Sequence, residues 1–429
     1  MTEQLTAGAF APFEEKTFRT IWTGGFVSNI AAWMQNIGVS WVAAVLTTSP
    51  FLLSMIQVAT SVPALFLSYP AGVIADHADR RKLLIGAQVF FFMVLLVLTV
   101  LTQLNYLNME VLIIFTFLMG CGSAFSNPIW QAITPEVVSP GNLKAAVALN
   151  GVSFNLSRAI GPALGGLLLT YGAIQSVFLF NIVAFVLLIW ILYQWKNQEI
   201  MAPPESFAKA YGEGITAVLK SRNFLKLIVR TIAFTAFVGA LFALLPHLSK
   251  YEWHQTTIQY MMLWVFLGAG AICGSLIYGK MTELLRSYQL VAVSCIGVGA
   301  TMISLALTGT NLWHYGLIFL LGFGWIWSTS TLNVLAQLYS PDALRARFLS
   351  VNITIFQGSL ALTSLFWGWV SNEIGTIATV EMSGVLMVAA SVVLLFFPME
   401  EPSADPGEKV ACTAPILIPA EQQAKTNTD

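Results

Sequence analysis

Apolar residues fall into twelve long runs, at about 20–46, 51–75, 83–104, 109–134, 145–170, 173–195, 224–249, 257–279, 288–308, 312–338, 347–370 and 378–398. Each is near or above the ~20 residues that an α-helix needs to cross a ~30 Å hydrocarbon layer. Charged residues lie almost wholly between the runs. Lipid offers backbone groups no water, and a helix satisfies them internally. The pattern therefore predicts an all-α membrane protein of twelve transmembrane helices. Seventeen of the 20 Lys and Arg residues gather on one side, among them Lys16, Arg19, Arg80, Arg81, Lys82, Lys144, Arg286, Arg345 and Lys409. The opposite loops hold Lys250, while Arg158 and Arg230 lie inside runs. This asymmetry predicts a multi-pass protein with both termini cytoplasmic.

The longest interior break divides the chain. We expect a cytoplasmic N-terminus over 1–19, a six-helix bundle over 20–195, a central cytoplasmic loop over 196–222, a second bundle over 223–398 and a disordered tail over 399–429. The central loop carries Pro203-Pro204 and then an amphipathic pattern from Phe207 to Lys220. The halves echo each other: Ser139-Pro140-Gly141-Asn142-Leu143-Lys144-Ala145 matches Ser340-Pro341-Asp342-Ala343-Leu344-Arg345-Ala346. Gln57 and Gly72 likewise match Gln259 and Gly274 in offset. Two parallel six-helix repeats predict a binding site between the halves, near the midplane.

Composition sharpens this picture. Hydrophobic residues make up 57% of the 429 and charged residues 10%, and mean hydropathy is +0.75. A soluble domain carries roughly a quarter charged residues. The net charge of -1 gives no basic field for nucleic acid. The four cysteines are scattered without metal-ligand spacing, and no catalytic constellation or phosphate-binding Gly-rich loop is present. The expected partners are the lipid bilayer and a small-molecule substrate. We expect a monomer, no enzyme activity, no metal and no cofactor beyond a proton gradient.

Polar residues inside spans are costly and mark function. Arg158 is the sharpest. It lies 15 residues beyond Leu143, ~22 Å along a helix, so a permanently charged guanidinium stands near the bilayer centre. No buried carboxylate is evident to pair with it, which leaves carbonyls, amides or a substrate anion as its ligands. Asn155, Asn150, Asn127 and Gln131 supply amides on its own helix and the preceding one. Asn29, Trp33 and Asn36 recur at helical spacing in the first span, and Asn352 and Gln357 add amides late in the chain. For any single amide, a bridge between helices is the alternative reading. Arg230 is expected to snorkel to the interface, and His247 reads as an interfacial histidine.

Two motifs carry a resemblance. Gly72 opens a short charged loop with Asp76, Arg80 and Arg81, between the second and third spans. Gly161-Pro162-x-x-Gly165-Gly166 follows Arg158 in the fifth. The first resembles the loop motif of major facilitator superfamily transporters. The second is similar to the signature of that superfamily's drug-antiporter branch. With Ser28-Asn29 to Trp33-Met34-Gln35, Asn127-Pro128 and Leu149-Asn150, the chain resembles bacterial facilitators of the enterobactin-exporter-like branch. The resemblance implies the major facilitator fold, alternating access, and export by proton antiport in a bacterial inner membrane. It implies gating roles for Gly72, Asp76, Arg80, Arg81, Gly161, Pro162, Gly165 and Gly166. Two departures stand out: Thr116, not Arg, lies four residues before Gly120, and the buried carboxylate that takes the coupling proton in drug antiporters is missing.

The expected function is secondary active export of a small siderophore-like or other anionic or amphipathic molecule. The alternatives are a multidrug or lysolipid exporter, and a transport-inactive membrane sensor or scaffold.

Overall fold

A computed structural model describes residues 10–172, 174–195, 207–308, 312–341 and 344–399. Its helices are α1 (Lys16–Leu46), α2 (Pro50–His77), α3 (Arg80–Gln103), α4 (Met109–Val137), α5 (Leu143–Tyr171), α6 (Ile174–Gln194), α7 (Phe207–Lys220), α8 (Arg222–His247), α9 (Thr257–Leu284), α10 (Ser287–Leu307), α11 (Trp313–Leu338), α12 (Arg345–Ile374) and α13 (Thr376–Leu395). Eleven of them are long and apolar enough to cross a membrane. α1 is long enough at 31 residues, and its Ser, Asn and Gln residues lower its hydropathy. It is the twelfth span. The chain is an all-α, multi-pass membrane protein. The short α7 occupies the place where the amphipathic pattern was expected. The expected tail and the first part of the central loop fall outside the described residues.

Local chemistry starts the helices where the sequence changes. Ser49, Asp79 and Asn108 each accept a backbone N–H at the start of α2, α3 and α4. Thr256 and Gln259 form a reciprocal cap on α9. Interior prolines each remove one ladder hydrogen bond from the long helices, Pro63 and Pro70 in α2 and Pro128 and Pro135 in α4.

Packing repeats across the two halves. In the first, α2 packs on α4, α1 on α5 and α6, and α3 on α4 and α6. In the second, α9 packs on α11, α8 on α12 and α13, and α10 on α11 and α13. Every pairing recurs with the helix number shifted by seven. The halves meet along two seams, α2–α12 and α5–α9, and the same shift exchanges them.

The seams differ along their length. α2 and α12 stay in contact throughout: Gly368 meets Ser54 at one end, Gly358 meets Leu65, and Gly72 meets the Ser350 hydroxyl at the other. α5 and α9 touch where Gly268 meets Ala159 and Gly166 meets Met261. Toward the basic end, Gly151 and Gly279 face open space.

At the opposite end a clasp joins the halves. The last four carbonyls of a helix lack intrahelical partners. Lys250 Nζ and the Tyr251 hydroxyl both donate to the Ala44 carbonyl at 2.7 Å, and Tyr251 also reaches the Thr47 carbonyl at 3.1 Å. His247 Nε2 lies 3.1 Å from the Thr48 carbonyl, while its Nδ1 lies 3.0 Å from the Thr376 hydroxyl. Second-half donors thus satisfy the end of α1. His247 is buried rather than interfacial, because both ring nitrogens are engaged by protein. Arg230 does not snorkel either. It is buried and donates to the carbonyls of Leu394 and Phe397, at and just beyond the end of α13.

The basic end is tied within the first half. Arg80 donates to the Ala75 and Ala132 carbonyls and pairs with Glu136. Arg81 donates to the Leu192 and Tyr193 carbonyls at the end of α6. The side chain of Asp76 lies outside the described residues. Glu15, at the start of α1, accepts from the Ser139 N–H and hydroxyl and from Asn142. Burial works to raise its pKa, but these donors outweigh it and hold the carboxyl below its ordinary value.

Two outcomes follow from these ties. Removing the clasp donors in Lys250→Met/Tyr251→Phe should expose a reporter cysteine at Ala44 (0% exposed). In a background lacking the native cysteines, a water-soluble maleimide should label it several-fold faster, and unchanged labelling would rule the clasp out. A depressed carboxylate contributes stability above its unfolded pKa and loses it as pH falls through the folded value. The melting difference between wild type and Glu15→Gln should therefore be present near neutrality and vanish in acid; a difference independent of pH would refute the assignment.

Candidate functional site

Arg158 lies near the middle of α5, against the α5–α9 seam, and is 3% exposed. Pro162 follows at i+4 and lacks the N–H that would bond the Arg158 carbonyl, which opens the helix ladder at this point. Gly161 lies against Trp33 and the Ile30 carbonyl, and Gly165 against Met34, so both seat α5 on α1. Gly166 instead meets Met261 of the other half. The glycines expected to gate are thus close-approach points: Gly161 and Gly165 within the first half, Gly166 and Gly72 each across a seam.

The guanidinium has an indole from each half against it. Its central carbon lies 5.4 Å from the Trp33 ring on α1 and 5.0 Å from the Trp325 ring on α11. Trp33 packs edge-on against Phe154, and Trp325 against Phe242 and Phe356. The ring faces attract the cation without neutralising it. The Arg158 Nε is buried with no hydrogen-bond partner, and among the described residues no carboxylate pairs with the group. A charged fork with free donors can hold a carboxylate or another acceptor-rich group.

The expected amides do not form one site. Asn29, Asn36 and Asn127 line a cavity of about 160 Å³ inside the first half, together with Gln35 and Gln88. Trp33 shares the α1 stripe with Asn29 and Asn36. Asn150 bridges α5 to Thr134 of α4 at 3.0 Å, and Asn155 donates to the Gly151 carbonyl of its own helix at 2.9 Å. Gln131 is exposed on α4. Asn352 is buried on α12 with its oxygen unpartnered, and Gln357 is half-buried on the same helix. Gln88 was overlooked in the sequence, although a lone amide in the apolar run of α3 is the same signal as the others. Trp325 carried no signal among 13 tryptophans.

A family model for transmembrane secretion effectors matches residues 7–420. The chain belongs to that family, within the major facilitator superfamily. It is a transporter and not an enzyme. The transporter is 22% identical over 386 residues to the staphyloferrin A transporter of Staphylococcus aureus, covering 87% of this chain and 94% of that one. It is 24% identical to an enterobactin exporter of Citrobacter koseri, covering 88% and 91%. It is 22% identical to macrolide efflux protein A of Streptococcus pyogenes, covering 68% and 72%. The fold matches a solved POT family transporter in complex with 5-aminolevulinic acid, with a TM-score of 0.72 at 13% identity over 89% of this chain and 96% of that one.

Cation–π contacts at a desolvated site are worth about 2 kcal/mol. Trp325→Ala should lower the melting temperature of the detergent-purified transporter, and Trp325→Phe should retain part of the loss. In an Arg158→Met background the Trp325→Phe cost should shrink. A cost that does not depend on Arg158 would show that Trp325 serves packing alone.

Proposed function

We propose that the transporter exports a small, anionic, acceptor-rich molecule of siderophore-like character from the cytoplasm across a bacterial inner membrane. One observation carries this reading: a buried guanidinium without an anionic partner, placed at the seam with an indole from each half against it. The staphyloferrin A and enterobactin relatives support the substrate class. In this reading both termini are cytoplasmic, the described state is closed at the clasp, and access from the cytoplasm runs along the basic end of the α5–α9 seam, where Gly151 and Gly279 face open space. Rocking of 1–200 against 220–398 would break the clasp and close the basic end, as alternating access requires. Gly72 at the α2–α12 seam would act as a contact point in that movement, and Asp76, Arg80 and Arg81 would hold the basic end together.

Proton antiport is the coupling that the family resemblance suggests. Every carboxylate among the described helical residues lies within about two turns of a helix end, so the carrier would be another group. A second reading, efflux of amphipathic drugs, draws on the macrolide efflux relative and on the aromatic wall of Phe154, Trp33, Trp325 and Phe242.

The test compares small molecules inside and outside cells with and without the gene, by mass spectrometry, in iron-replete and iron-starved growth. A metabolite that accumulates inside on deletion and is restored outside by the wild-type gene identifies the substrate. Arg158→Gln should then lower export of an anionic substrate by tenfold or more at unchanged protein level, and an uncoupler should stop it. Arg158→Lys keeps the charge but loses the planar fork and should fall between. If Arg158→Lys and wild type handle anionic and neutral compounds alike, recognition of an anion by Arg158 is excluded.

A further inference from the structure

The amide-lined cavity in the first half is walled by α1, α2, α3, α4 and α6, and belongs to no seam. Two of its residues, Gln35 and Gln88, are each more than nine-tenths buried, and the side-chain oxygen of each has no hydrogen-bond partner. A buried acceptor left unpaired is costly, so two lining one cavity, from α1 and α3, mark a place suited to a donor. No charged residue lines the cavity. A carboxylate or ammonium would enter without a counter-charge, whereas hydroxyls and amides would exchange hydrogen bonds with the walls. Trp130 and Phe185 add ring faces against which a planar group packs. Whole small-molecule sites run to about 300–1,000 Å³. At about 160 Å³ this cavity holds a ring-sized part of a molecule rather than all of it.

One stripe of α1 links the cavity to the anion position. Asn29 and Asn36 line it, and Trp33, on the same stripe of α1, lies against Arg158. We propose that this cavity is an uncharged subsite that takes a hydroxyl- or amide-bearing ring of the substrate while Arg158 takes its anionic group. The second half of that statement rests on the proposed function; the cavity's own chemistry does not.

The experiment titrates the full-length, detergent-purified transporter with three probes: benzoate, 3,4-dihydroxybenzoate and catechol. Wild type should bind dihydroxybenzoate about tenfold more tightly than benzoate, as expected for one or two net hydrogen bonds. Gln88→Leu and Asn127→Leu should erase that preference. Arg158→Gln should weaken both acids and leave catechol unchanged. Asn127 is exposed to the cavity, so its variant carries the test if Gln88→Leu does not fold. Binding of catechol but not of benzoate would keep the subsite and overturn the anion reading. A preference that survives in a folded Gln88→Leu or Asn127→Leu variant overturns the subsite, as does a wild type that binds catechol not at all.

Discussion

A guanidinium in the middle of a membrane bundle is the constraint around which the rest is arranged. Arginine stays charged at any accessible pH, so it must be given a compensating environment and not neutralised. Two indoles supply part of that environment, and they come from opposite halves. Ring faces attract the cation by about 2 kcal/mol each when desolvated. That falls short of what an ion loses on leaving water. The shortfall leaves the charge under-compensated, where a second-half carboxylate at this position would have satisfied it.

The clasp at the far end is built on a similar scale. Donors of His247, Lys250 and Tyr251 reach carbonyls at the end of α1 that no helix could satisfy. Each such bond is worth about 1 kcal/mol net. The set therefore amounts to a few kcal/mol, and moving a two-state balance from 1:99 to 99:1 takes about 5.5 kcal/mol. Under the proposed alternating access, a substrate that gains comparable free energy in one state would suffice to break it. By contrast, Arg80 and Arg81 bind helix ends inside the first half, which makes that half a firmer body for the clasp and seams to act upon.

The twelve spans, the short amphipathic α7 and the repeat were legible because each is a local property of the chain: length, apolarity and loop spelling. Arg158 was legible for the same reason, as a charge in an apolar run. Its partners were not. Trp325 lies more than a hundred residues away, and nothing in the spelling of α11 separates it from the neighbouring Trp327, which donates to the Gly274 carbonyl. Periodicity also could not sort the amides. Asn29, Trp33 and Asn36 share a face, yet the face meets a cavity at two positions and the guanidinium at the third. Asn150 and Asn155 are on the Arg158 helix but spend their donors on Thr134 and Gly151. His247 and Arg230 were misread because span ends usually meet water, whereas here they meet other helix ends.

The repeat explains why the specific motifs crowd into the first half. A shift of 201 residues brings Ser139 onto Ser340 and sets Ser359 opposite Arg158. Ser359 bonds to Thr235 of α8, a neutral bridge where the first half has an unpaired cation. The same shift sets Leu362 and Phe366 where Gly161 and Gly165 bring α5 tight against α1. The two seams differ accordingly: α2–α12 has close glycine contacts from end to end, whereas those of α5–α9 lie at Gly268 and Gly166, with Gly151 and Gly279 facing open space toward the basic side. A symmetric pair of charges would place two like cations near one midplane, at a cost neither half could offset. Divergence of the copies resolves that conflict, leaving the charge on one half and an aromatic wall for it on the other.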